Sequence, residues 1–143
     1  MSDTKFTDVV WCAGFFEGEG WIHLKVSHPT DRKLPRITVI AGITNTEIAH
    51  LRRFEFLWGG RIRPLKISKL GKKPIFEWRI EGAKVAPFLS SIEPFVFGEK
   101  RERLLRGLAL RERMTMQGRA RTGRGRIASM SGEEFLCRTN LIQ

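Results

Sequence analysis

Two glutamates one glycine apart, Glu17 and Glu19, alternate with Gly18 and Gly20 just after the apolar run Cys-Ala-Gly-Phe-Phe at 12–16. Carboxylate oxygens are hard ligands, and acids held near phosphate oxygens suit a divalent cation such as Mg²⁺. Read from these residues alone, a helix stop at Gly18 and Gly20 with two ordinary solvated acids outweighs a metal site. The histidines His23, His28 and His50 do not complete a zinc spacing with Cys12 or Cys137, which are expected to be free structural thiols.

The elements that position these acids follow from hydrophobic periodicity. Val9, Val10, Ala13 and Phe16 recur at helical spacing, which predicts a helix over 7–16 capped by Asp8 and stopped by Gly18 and Gly20. Ile22, Leu24 and Val26 then alternate with Trp21, His23 and Lys25, the period of a strand with one buried and one exposed face. A polar turn containing Pro29 leads to a second strand, where Ile37, Val39, Ala41 and Ile43 alternate with Arg36, Thr38 and Thr44. Thr46 precedes the stripe Ile48, Leu51, Phe54 and Leu57, ended by Gly59 and Gly60, which reads as a capped amphipathic helix.

A second hairpin is predicted over 61–69 and 74–80, with Phe76, Trp78 and Ile80 on one face and Glu77 and Arg79 on the other. Pro64 marks an edge or a bulge. Trp58 and Trp78 are expected in the core. Helical patterns follow at 83–92 and 98–113, giving the order αββαββαα. Residues 117–126 are almost wholly Gly, Arg and small side chains, so they are expected to be mobile and cationic, with a short helix near 132–138. The expected organisation is one domain over 1–116 and a basic tail over 117–143.

At 143 residues and 41% hydrophobic content, the chain can build one core. Lys and Arg number 26 against 15 Asp and Glu, giving +11 and a pI near 10.6. Such an imbalance favours a polyanionic partner, nucleic acid first, while leaving a ribosomal protein or a membrane-surface binder open. No run approaches the roughly twenty apolar residues of a membrane span. The expectation is a protein without a membrane segment, in the cytoplasm, or in an organellar matrix if organelle-encoded.

The segment 12–20, CAGFFEGEG, resembles the LAGLIDADG motif of homing endonucleases, with Cys12 and the phenylalanines in place of Leu and Ile and Glu at both acidic positions. With the following strand, the element order and the basic strand faces, the resemblance spans about 7–113. It implies an α+β αββαββα domain with an antiparallel, saddle-shaped sheet, a C-terminal helix and a basic tail. The implied activity is site-specific hydrolysis of double-stranded DNA, in the spread of a mobile intron or intein. One motif implies a homodimer on a near-palindromic target, with motif helices packed through Ala13, Gly14 and Gly18. Glu17 maps to a capping or interface role. Glu19 maps to the metal-binding acid, with the Gly18 carbonyl as a further ligand and Mg²⁺ as the ion, replaceable by Mn²⁺. Asn45 and Lys100 map to the secondary catalytic positions, and Arg103 lies one turn beyond.

Trp21, His23, Lys25, Arg36, Thr38, Arg61, Arg63, Lys66, Glu77 and Arg79 are the expected DNA-reading residues, because a strand ribbon fits the major groove and Arg can donate two bonds to guanine. Lys72 and Lys73 are expected on phosphates. His23 is expected to face DNA or solvent and not to act as a general base. Two other readings stand beside this one. A catalytically inactive DNA-binding regulator or RNA-binding maturase would keep the fold, and an unrelated basic protein would prefer structured RNA.

Overall fold

A computed structural model describes residues 3–27, 36–65 and 73–119. Along the chain lie α1 (Asp3–Glu19), β1 (Gly20–Ser27), β2 (Arg36–Asn45), α2 (Ile48–Trp58), β3 (Arg61–Pro64), β4 (Phe76–Glu81), α3 (Val85–Ile92) and α4 (Gly98–Arg119). Single 3₁₀ turns at Gly82–Lys84 and Glu93–Phe95 lead into α3 and follow it. The expected αββαββαα order is therefore present, as an α+β fold with one open antiparallel sheet.

The strands lie in the order β1-β2-β4-β3, so two hairpins join through β2 and β4. Their alternation separates two faces. On one face run the cross-strand rows Gly20–Ile43–Trp78–Ile62 and Ile22–Ala41–Ile80, which join one core with residues from all four helices. Phe88 of α3 centres this core, its ring within 6.3 Å of Phe16, Phe54, Trp58 and Trp78. On the other face run Trp21–Gly42–Arg79–Arg61, Thr44–Glu77–Arg63 and His23–Ile40–Glu81. No helix among the described residues is long and apolar enough to cross a membrane.

Several boundaries differ from expectation. α1 starts at Asp3 and continues through Gly14 and Gly18, so Asp8 is not its cap and Gly18 is not its stop. Val9, Cys12, Ala13 and Phe16 are buried along it, and that tertiary burial outweighs the ~1 kcal/mol each glycine costs a helix. Gly20 opens β1, and a Cβ there would fall 2.2 Å from Phe16 Cδ2.

The cap of α2 is Glu47 and not Thr46, its carboxylate accepting from the Ala49 N–H at 3.5 Å. Gly59 ends α2 as expected, at φ 78°, its N–H donating to the Glu55 carbonyl at 2.8 Å. Trp78 is fully buried, donating from Nε1 to the Gly59 carbonyl at 2.9 Å, while half-buried Trp58 donates to Ser91 Oγ at 3.2 Å. β3 ends at Pro64 among the described residues, and α4 runs past the predicted helix end at 113. The turn at 28–33, Lys66, Lys72, Cys137, the predicted helix at 132–138 and the tail from residue 120 lie outside the described residues.

Candidate active site and nucleic-acid interface

The last turn of α1 presents an electrostatic problem and its answer. A helix C-terminus carries partial negative charge on its unpaired carbonyls, and α1 places Glu17 and Glu19 there with no basic residue of its own. The cation comes from α4. Lys100 Nζ donates to the Phe16 carbonyl at 2.9 Å and to the Glu17 carbonyl, and it lies 5.6 Å from the Phe16 ring centroid. Burial lowers the Lys100 pKa, with Glu17 and Glu19 acting in the opposite direction.

Glu17 is half-buried, and its Oε2 accepts from the Phe97 N–H at 3.4 Å. It therefore helps join α1 to the start of α4, within one chain. Glu19 is exposed at the very end of the helix. A cleft of about 220 Å³ beside it is lined by Gly20, Trp21, Ile22, Glu99, Lys100 and Arg103. Arg103 donates to the Ile22 carbonyl at 3.4 Å and pairs with Glu99 at 3.6 Å. The structure thus brings Lys100 and Arg103 to the foot of α1.

Asn45 ends β2, two residues beyond Ile43, the partner of Gly20. It sits at the same end of the sheet as Glu19 but does not line the cleft. Its Oδ1 accepts from the Glu47 N–H at 2.8 Å, forming the turn into α2.

The expected helix-packing residues divide in two. Ala13 is fully buried in its own core, so it is not on the free face of α1, a correction that follows from the helical phase set by Cys12 and Phe16. Gly14 and Gly18 are exposed, with open space where a Cβ would stand. With Val10 they form an exposed stripe at 10, 14 and 18, the i, i+4 spacing of one helix face.

The open face of the sheet carries most of the expected DNA-reading residues. The Trp21 and His23 rings lie 4.5 Å apart between centroids, tilted by 30°, and Lys25, Arg36, Arg61 and Arg63 are exposed. Thr38 and Arg79 are half-buried, and Lys73 is exposed ahead of β4. Glu77 does something the sequence did not suggest. It stands opposite Arg63 across β3–β4, and one of its oxygens accepts from Arg63 Nε at 2.9 Å and pairs with Nη2 at 2.8 Å. Arg79 is similarly held by Glu81 at 3.1 Å. The two acids fix two arginines in place on a basic floor.

Sequence reading missed the clamp at the start of α4. Arg101 donates to the Glu93 carbonyl at 2.7 Å, pairs with the Glu93 carboxylate and reaches the Val96 carbonyl at 3.4 Å. No periodicity distinguishes Arg101 from Lys100 or Arg103, because the contact depends on how α4 meets the preceding 3₁₀ turn.

No family model and no curated protein matches the chain. Solved structures do. The homing endonuclease I-CvuI in complex with its target superposes with a TM-score of 0.65 at 18% identity, covering 96% of each chain. The homing endonuclease I-TnaI gives 0.69 at 17% identity, over 94% of this chain and 84% of that one. The LAGLIDADG homing endonuclease I-LtrWI bound to target DNA gives 0.69 at 13% identity, over 99% of this chain and 44% of that one.

This is the LAGLIDADG homing-endonuclease fold.

Within that fold, residues 12–19 of the CAGFFEGEG segment form the C-terminal half of α1 and Gly20 opens β1, and the open sheet face lies beside the foot of that helix. Among the described residues, no three His, Cys, Asp or Glu side chains cluster to hold a metal. At the foot of α1 the candidate oxygen donors are the exposed Glu19 carboxylate and the Gly18 carbonyl, while exposed Glu99 in the neighbouring cleft is paired with Arg103. The Phe16 and Glu17 carbonyls are engaged by Lys100. This oxygen-only donor set fits Mg²⁺, which binds through one or two carboxylates and keeps its remaining positions for water and phosphate.

Proposed function

We propose that the chain is a site-specific double-stranded DNA endonuclease that acts as a homodimer with a divalent metal ion at Glu19. The observation that carries this reading is the placement of an exposed acid at the foot of a helix whose free face is small, beside a basic sheet face and a half-buried lysine. I-CvuI, as solved with its target, and I-LtrWI, as solved on target DNA, support duplex DNA as the partner. The matched part of I-LtrWI is a little under half of its length.

The residues divide the work. Arg61, Arg63, Arg79 and Lys25 draw the duplex to the sheet, and Glu77 and Glu81 hold Arg63 and Arg79 in fixed directions, which lowers the entropy lost when they bind. Packing of α1 against the partner's α1 through Val10, Gly14 and Gly18 brings two Glu19 side chains over two strands. Glu19 and the Gly18 carbonyl would hold a Mg²⁺ ion, which when bound would supply water activation and charge neutralisation on the leaving oxygen, and Lys100 keeps the Phe16 and Glu17 carbonyls fixed. Asn45, engaged in its turn, supports the end of β2 as a positioning residue.

The test begins with selection of a bound site from a randomised duplex pool, followed by incubation with Mg²⁺ or Mn²⁺. Wild type is expected to cut both strands, and Glu19→Gln to bind with similar affinity and cut neither. Tight binding without cleavage in either metal supports the inactive regulator instead, and preference for structured RNA over every duplex supports an RNA-binding role.

A further inference from the structure

β4 ends at Glu81, opposite Ile40, so β2 residues 36–39 pair with β1 on one side and with no described strand on the other. The sheet has a notch there. α4 crosses the core face beside it, where a Cβ on Gly107 would lie 3.1 Å from Val39 Cγ1 and 3.6 Å from Leu24 Cδ2. Leu110, one turn on, is fully buried. The next residue, Arg111, reaches the notch. A cavity of about 260 Å³ is lined there by Lys25, Arg36, Thr38, Arg79, Glu81 and Arg111 among others.

Among the described residues that line this space, four cations from four elements meet one acid, Glu81, which is engaged by Arg79 at 3.1 Å. The Arg79 Nε is buried without a hydrogen-bond partner. Burial also lowers the pKa of Arg111, which reflects a charge drawn out of bulk water. A wall of donors, with its carboxylate already used, suits a ligand that only accepts hydrogen bonds. A guanine edge offers two neutral acceptors, whereas a phosphodiester brings a full negative charge, the better match to a space lined by four cations.

We propose that the notch is a phosphate site, that it holds one backbone phosphodiester of the bound duplex, and that Lys25 and Arg36 serve this phosphate instead of reading bases. The proposal rests on the duplex-binding reading above. It adds Arg111, a residue off the sheet, to the DNA interface.

The experiment measures duplex affinity against salt for wild type, Arg111→Gln and Arg111→Lys, each checked for native stability, on the selected site and on a scrambled duplex. Loss of one phosphate contact is expected to reduce the log–log salt slope by about 0.9 and to weaken both duplexes alike, by roughly tenfold at low salt, with Arg111→Lys retaining the slope. A folded Arg111→Gln with the wild-type slope, or one weakened on the selected site alone, overturns the proposal. Wild type that binds no duplex overturns both the functional reading and the backbone assignment. Titration of wild type with inorganic phosphate, followed at the arginine Nε–H resonances, then decides the anion site itself: saturable shifts at Arg79 and Arg111 uphold it, and their absence removes it.

Discussion

Trp21 lies over Gly42, its partner across the β1–β2 ladder, so closely that a Cβ at position 42 would stand 2.4 Å from Trp21 Cζ2. The Trp78 carbonyl would be 2.7 Å from the same atom. The ring can turn away, but the backbone of the central strand β4 cannot. Gly42→Ala is therefore expected to destabilise the fold by about 1–3 kcal/mol, the usual cost of overpacking. Adding Trp21→Ala should recover only part of that loss, because the carbonyl contact remains. Urea unfolding of the single and double variants measures both, and full recovery in the double variant would assign the whole effect to the ring.

Gly14 makes the opposite prediction. It is exposed inside α1 with nothing near its missing Cβ, so Gly14→Ala should stabilise an isolated protomer by roughly 0.5–1 kcal/mol through helix propensity. Gly14→Leu should leave the protomer folded yet yield monomers in sedimentation and abolish double-strand cleavage. A Gly14→Leu protein that remains dimeric would locate the interface on another face.

The contrast between these two glycines marks what was legible in the sequence. Strand alternation, the apolar stripe of α2 and the order of elements could be read because each rests on local period. The motif drew attention to Glu19 and, through the expected layout, to Lys100. The extent of α1 was not readable, since two glycines argue locally for a stop and only burial of Cys12, Ala13 and Phe16 against the sheet argues otherwise. The same burial takes Ala13 off the free face. Glu77 read as a base contact because the pattern gives its face but not its partner, and the Arg63 pairing depends on cross-strand register. Asn45 read as catalytic from its place at a strand end; the hydrogen bond its Oδ1 accepts from the Glu47 N–H was not legible, because it depends on the turn into α2.

Lys100→Met should cost about 1–3 kcal/mol, since it leaves the Phe16 and Glu17 carbonyls without their charged donor. The loss should be accompanied by reduced cleavage with little change in duplex affinity, because the residue lies at the foot of α1 and away from most of the sheet floor. Thermal denaturation and single-turnover cleavage report the two effects separately. A stability loss with unchanged cleavage would confine Lys100 to a structural role.

Cys12 links stability to alkaline pH. Burial pushes its thiol from an ordinary 9.0 up to about 12, with Arg53 opposing and Asp8 adding to the shift. Between those values the unfolded chain gives up a proton that the native protein keeps, so stability falls as pH rises from 9 towards 12. The contribution is intact below pH 9. In a Cys137→Ser background, urea midpoints at a series of pH values should show this decline, and Cys12→Ala should make it shallower. The same background should resist thiol reagents at pH 8 until it unfolds; rapid native labelling would contradict the burial of this sulfur.

The hydrogen bond from Lys100 to the Phe16 carbonyl spans 84 residues. On a ribosome, the acidic end of α1 and both strands of the first hairpin emerge well before the lysine that restrains them. The nascent chain thus passes through a period in which its negative helix end faces water and its basic strands are already made. Maturation of the site is tied to the arrival of α4, so a truncated product ending before that helix would carry the motif without the support that orients it.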